Sequence, residues 1–117
     1  MSTLADTGFW ILTSLAGGRR HGYAILNEVA DGSGASPKVT TLYATLDRLV
    51  QHGLISADGE EIVDGRARRY FVLTDAGRHR LEEETSLLEA RARAARAALA
   101  APRIAPATRA AMAMAAA

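Results

Sequence analysis

The residues from Ser36 to Thr74 constrain this chain more than any other stretch. Val39, Leu42, Leu46, Leu49 and Val50 recur at the i, i+3, i+4, i+7 spacing that lines one side of an α-helix with apolar groups. Ser36-Pro37 reads as the start of that helix. A serine oxygen accepts from free backbone amides there, and proline at the first helical position gives up an N–H that has no helical partner. Gly53 ends it. Leu54 to Val63 reads as a strand bent at Asp58-Gly59, Asp64-Gly65 as a two-residue hairpin turn, and Arg68 to Thr74 as the returning strand. A helix followed by a ribbon with Arg66, Arg68 and Arg69 near its tip leaves few architectures open.

The flanks narrow the choice. Residues 4–16 hold Leu4, Phe9, Trp10, Ile11, Leu12 and Leu15 and read as a first helix, closed by Gly17-Gly18. Arg19 to Gly22 reads as a turn, Tyr23 to Ala30 as a second helix, and Asp31 to Ala35 as a loop. Thr74 or Asp75 caps a long helix from about Ala76 to Ala101, beyond which Pro102 and Pro106 interrupt the chain. The expected fold is mainly α with a small β-hairpin. It comprises a winged helix-turn-helix domain over residues 1–75 and a C-terminal helical dimerisation region over residues 76–117. Leu81, Leu88, Ala95 and Leu99 form an alanine-rich seam near heptad spacing on the last helix, the candidate dimer contact.

Charge and composition exclude more than they assign. The 117 residues contain no cysteine, which rules out disulfides and thiolate metal sites or nucleophiles and fits a cytoplasmic protein. No apolar run approaches the roughly 20 residues that span a bilayer, so no membrane role is expected. His21, His52 and His79 lack the spacing of a metal site, and the acidic group Asp58, Glu60, Glu61 and Asp64 has no nucleophile beside it. No cofactor, metal or catalytic residue is expected, and the chain does not read as an enzyme. The net charge is +1, and up to Asp75 seven cations face nine anions. A nucleic-acid reading must therefore rest on where the charges sit.

Opposite the apolar stripe, the helix from Pro37 to His52 carries Thr40, Thr41, Ala44 and Arg48. Threonine hydroxyls and methyls meet base edges or phosphates, alanine permits close approach, and arginine takes a guanine bidentately or holds a phosphate. Lys38 stands near the helix start and Tyr43 on its shoulder, both suited to phosphates. On the hairpin, Arg66 and Arg68 are candidate backbone contacts, whereas strand alternation turns Arg69 to the other side. The plainer reading is a solvated helix face beside arginines paired with Glu60, Glu61 or Asp64. A winged-helix module that binds protein without touching DNA is the alternative function.

Taken in order, Arg20-His21-Gly22-Tyr23, Thr41-Leu42-Tyr43, Leu46-Asp47-Arg48-Leu49, Gly53-Leu54-Ile55 and Gly65 to Thr74 running into Ala76-Gly77 resemble the PadR family of transcriptional regulators. The resemblance covers about residues 9–82. It implies a homodimeric repressor on a palindromic operator, with the last helix packed against its twin, and in some members release by a small molecule. Thr41 and Tyr43 match family DNA contacts, and Arg66 and Arg68 match wing contacts. Some members stack flat aromatic compounds on a tryptophan at the dimer interface, which makes Trp10 a candidate effector contact. A lone tryptophan in an apolar first helix is more commonly packing.

Overall fold

A computed structural model describes residues 6–103. The elements run α1 (Asp6–Ala16), β1 (Arg20–His21), α2 (Gly22–Ser33), α3 (Val39–Gln51), β2 (Ile55–Val63), β3 (Arg66–Leu73) and α4 (Asp75–Ala100). The chain divides into two compact units, one ending at Ser86 and one beginning at Leu87.

The first unit is built around Ile11, Leu12, Leu15, Ile25, Val29, Leu42, Leu46, Leu49, Ile55 and Phe71, all buried. They come from one side of each helix and from the helix-facing sides of β2 and β3. Burying a side chain such as Phe71 contributes about 1.5–3 kcal/mol each, and this removes α1, α2 and α3 from independent motion. The three strands form an antiparallel sheet in the order β1-β3-β2. The short β1, expected as a turn, pairs Arg20 with Phe71 and His21 with Tyr70. Two residues carry no periodicity, so no pattern in the sequence announces such a strand.

The wing forms as expected. Asp64 (φ 50°) and Gly65 (φ 75°) both adopt positive φ, the two-residue turn that matches the twist of a hairpin. Register slips between Ala57 and Glu60, where Gly59 has φ 87°, and this is the bend expected at Asp58-Gly59. Thr74 caps α4 by accepting from the Gly77 N–H at 3.0 Å, and its hydroxyl donates to the Gly53 carbonyl at 2.6 Å.

Three expectations need correction. Helix α3 begins at Val39, two residues after Pro37; Lys38 is the cap residue, in extended conformation (ψ 143°), and makes no side-chain cap bond. Val39, assigned to the apolar stripe, is 55% exposed, because it lies in the first turn, ahead of the part of α3 packed on the core. The buried polar partner of the stripe is Thr45, whose hydroxyl is satisfied by the Thr41 carbonyl at 2.8 Å. Helix α2 runs to Ser33 rather than stopping at Ala30. Ser33 Oγ donates to the Val29 carbonyl, and Gly34 closes the helix with φ 78°.

The second unit, taken by itself, is helical through Ala100 and exposed along its described length. Leu88, Ala95 and Leu99 are among its exposed residues. Leu81, the other member of the expected seam, is half-buried and packs against the core of the first unit. The proline-bounded tail beyond residue 103, Leu4 and the other residues before Asp6 lie outside the described residues.

Candidate nucleic-acid interface

Helix α3 owes its outward face to its own amphipathicity. With Leu42, Leu46 and Leu49 buried, Thr40, Thr41, Tyr43, Ala44 and Arg48 are exposed, as is Lys38 before the first turn. The opening amides of α3 have no side-chain cap, so they remain available to an anion.

The hairpin meets this helix at a cleft of about 450 Å³, lined by His21, Gly22, Tyr23, Tyr43 and residues 66–69. Tyr43 of α3 and the wing arginines therefore border one concavity. Lys38, Thr40, Thr41, Ala44 and Arg48 are exposed outside its lining. Gly22 makes the approach possible. A methyl group there would stand 2.7 Å from the Tyr43 hydroxyl oxygen.

Electrostatics around the cleft settle how the acids are used. Among the described residues, Lys38, Arg48, Arg66, Arg68 and Arg69 make no ion pair. Of the acids that the plainer reading would pair with them, Glu61 is engaged elsewhere, and Glu60 and Asp64 form no ion pair with them. Asp58 holds Arg19, which donates from Nε to Oδ2 at 2.8 Å and from Nη2 to the Asp58 carbonyl at 2.7 Å. Glu61 accepts from the Tyr70 hydroxyl at 2.8 Å, and that bond raises the phenol above its ordinary pKa. Glu28 takes Arg20 at 2.7 Å and a hydrogen bond from Ser14. The local excess of acids thus coexists with cations that form no ion pair among the described residues, Lys38 and Arg48 at α3 and Arg66, Arg68 and Arg69 on the wing.

Sequence reasoning missed Arg19. Its guanidinium lies 3.8 Å from the Tyr70 ring centroid while it grips the bulge at Asp58, so one side chain ties the segment before β1 to both strands of the wing. Its only sequence signal is a cation next to a turn, which is too common to single out. His21 caps α2: its Nδ1 accepts from the Ala24 N–H at 3.2 Å. Burial, reinforced by Arg68 and opposed by Glu61, lowers its pKa from 6.5. Arg69 is exposed and lies 5.4 Å from the Phe71 ring. Trp10 is half-buried. It meets Phe9 edge-on at 5.5 Å, and its ring sits where a methyl at Gly32 would collide at 2.7 Å. A recess of about 270 Å³ opens beside it, toward Ser33 and Pro37.

Known proteins share the sequence pattern and the fold. The sequence model of the Transcriptional regulator PadR-like family matches residues 11–83. Transcriptional regulator Rv3488 of Mycobacterium tuberculosis is 41% identical over 86 residues, which cover 74% of this chain and 65% of that protein. The chain thus spans somewhat less than two thirds of that relative's length. Among solved structures, a PadR family transcription regulator from Clostridium difficile R20291 superposes with a TM-score of 0.70 at 24% identity, covering 81% of this chain and 99% of that one. RosR of H. salinarum superposes with a TM-score of 0.60 at 28% identity, over 75% of this chain and 76% of the other. With the family match spanning most of the chain and the winged helix-turn-helix in place, this protein belongs to the PadR-like family of transcriptional regulators.

Proposed function

We propose that the chain is a homodimeric repressor that binds double-stranded DNA at a palindromic operator. The observation that carries this reading is the set of unpaired cations, Arg48 on α3 and Arg66, Arg68 and Arg69 on the wing, on elements that meet at one cleft beside an exposed Thr40-Thr41-Tyr43-Ala44 face. Helix α3 enters the major groove, where Thr41 and Arg48 read base edges and Thr40 and Ala44 fit against them. Lys38 and Tyr43 hold phosphates at the groove edge, and Arg66 and Arg68 hold the flanking backbone. The exposed leucines of α4, Leu88 and Leu99, supply apolar surface for a second copy, with Ala95 allowing close approach. Trp10 we assign to packing against α2 rather than to effector stacking, because its ring is engaged by Phe9 and fills the space beside Gly32. Quenching of its fluorescence across a panel of flat aromatic compounds would overturn that assignment.

The test is an anisotropy titration of labelled duplex from the DNA upstream of the protein's own gene, at several salt concentrations. Affinity should fall linearly in log–log form, with a slope near −0.9 for each phosphate neutralised. A protein-binding module would give no salt-dependent duplex binding.

A further inference from the structure

We infer that the cleft between the start of α2 and the wing is a phosphate seat, with His21 and Arg68 as its paired donors, and that its occupant is a backbone phosphate of bound duplex. This rests on the DNA-binding reading above and adds to it His21 and Tyr23, to which the motif assigns no contact.

The His21 ring lines this cleft. Its Nδ1 accepts the Ala24 N–H, so in the neutral ring the hydrogen must sit on Nε2. Across the cleft, Arg68 Nη1 lies 3.4 Å from Nε2. Guanidinium nitrogens only donate. Two N–H groups therefore face each other with no acceptor between them. The acid opposite Arg68 on the sheet, Glu61, accepts from the Tyr70 hydroxyl and makes no hydrogen bond or ion pair with His21 or Arg68. An oxyanion placed between the two donors would satisfy both.

Other groups point the same way. The side chains of Tyr23 and Tyr43 line the cleft, and neither hydroxyl has a protein partner among the described residues. Gly22 lets the Tyr43 phenol lie across the first residue of α2. Arg66 and Arg69 complete the wall without ion pairs. A phosphodiester offers two non-bridging oxygens, each able to accept several donors, and a bound charge of the sign that arginines and an imidazole N–H attract. At about 450 Å³ the cleft is larger than one phosphate, as a seat along a continuous backbone requires. The titratable and charged groups around the ring are Arg66, Arg68, Arg69 and Tyr70 of β3, Glu61 of β2, Tyr43 of α3 and Tyr23 of α2.

The experiment follows the His21 imidazole by ¹⁵N-edited NMR in the full chain. It is titrated free, with the upstream duplex, and with inorganic phosphate at matched ionic strength. The added proton goes to Nδ1 and displaces the Ala24 N–H, and the duplex should nonetheless raise the His21 midpoint by about one unit, as a close opposite charge does. The complex then binds more protons than the free protein, so duplex affinity should rise up to about tenfold as pH falls from 8 to 5.5. His21→Asn keeps a capping side chain and cannot titrate, and its affinity should lose that pH dependence. Arg68→Ala should lower the salt slope by about one, and Tyr23→Phe should weaken binding with the fold intact. A duplex that binds while the His21 titration stays where it was overturns the seat and leaves the DNA reading standing. Failure to bind any duplex overturns both. A His21 shift with inorganic phosphate and none with duplex would give the cleft to a free phosphate and overturn the assignment to DNA.

Discussion

Single atoms decide several features of this protein. At Gly77 a methyl group would lie 1.9 Å from the Leu54 carbonyl oxygen, a backbone atom that cannot swing aside. Gly77→Ala is therefore expected to cost about 3 kcal/mol or more, read as a fall in the midpoint of chemical denaturation. At Gly22 the obstacle is the Tyr43 hydroxyl at 2.7 Å, the mobile end of an exposed side chain. Alanine there should leave stability unchanged or slightly higher, since it is the better helix former by about 1 kcal/mol. It should also displace the phenol from the cleft and weaken duplex binding about fivefold, on the scale of one hydrogen bond. The His21 ring sets a pH response. Its folded pKa lies below the 6.5 of the unfolded chain, so its stabilising contribution is complete above that value and is lost as pH falls through the folded pKa. Wild type should thus lose more stability than His21→Asn as pH is lowered from about 6.5 through the folded pKa of His21. Equal slopes in denaturation curves would contradict this.

The elements separate what local chemistry specifies from what tertiary contact decides. Asp64-Gly65 could be read as a hairpin turn because two consecutive positive φ angles favour few residue pairs, and Thr74 as a cap because its hydroxyl has a backbone amide three residues on. The apolar stripe of α3 could be read because burial follows the helical period at Leu42, Leu46 and Leu49. The start of α3 could not. Ser36-Pro37 has the local chemistry of a helix start, yet the chain stays extended through Lys38. Strand β1 could not be read either, since it exists only because Arg20 and His21 find Phe71 and Tyr70 fifty residues later. The exposure of Thr40, Thr41, Ala44 and Arg48 follows from the same period, but the freedom of the wing arginines depends on Asp58 and Glu61 finding other partners. Arg19 belongs to this second class. Arg19→Ala should speed hydrogen exchange in β2 around the bulge and, through the wing, reduce duplex affinity. The loss should not add to that of Arg66→Ala, because both act through the same hairpin. Full additivity would mean that Arg19 touches DNA directly.

At the scale of the whole molecule, the prediction is two-fold symmetry. Two copies joined through α4 would present two α3 helices to half-sites about one helical turn apart. Leu88→Glu and Leu99→Glu should each shift sedimentation toward the monomer at micromolar concentration while leaving the far-ultraviolet circular dichroism of the first unit in place. A dimer unaffected by either change would move the interface elsewhere. On the DNA side, Arg66→Ala should weaken binding alike on all sequences, whereas Arg48→Ala should relax preference at one base pair, by about 1–3 kcal/mol if its contact is bidentate.

The claim on which the rest stands is that α3 and the wing engage one duplex together. Amide chemical-shift mapping of ¹⁵N-labelled protein against its upstream duplex reads this directly. The account predicts that the amides of the α3 outer face, residues 21–23 and residues 66–69 shift in concert at one stoichiometry and one salt dependence. Shifts confined to one of these segments, or saturating at different duplex concentrations in α3 and in the wing, would contradict it.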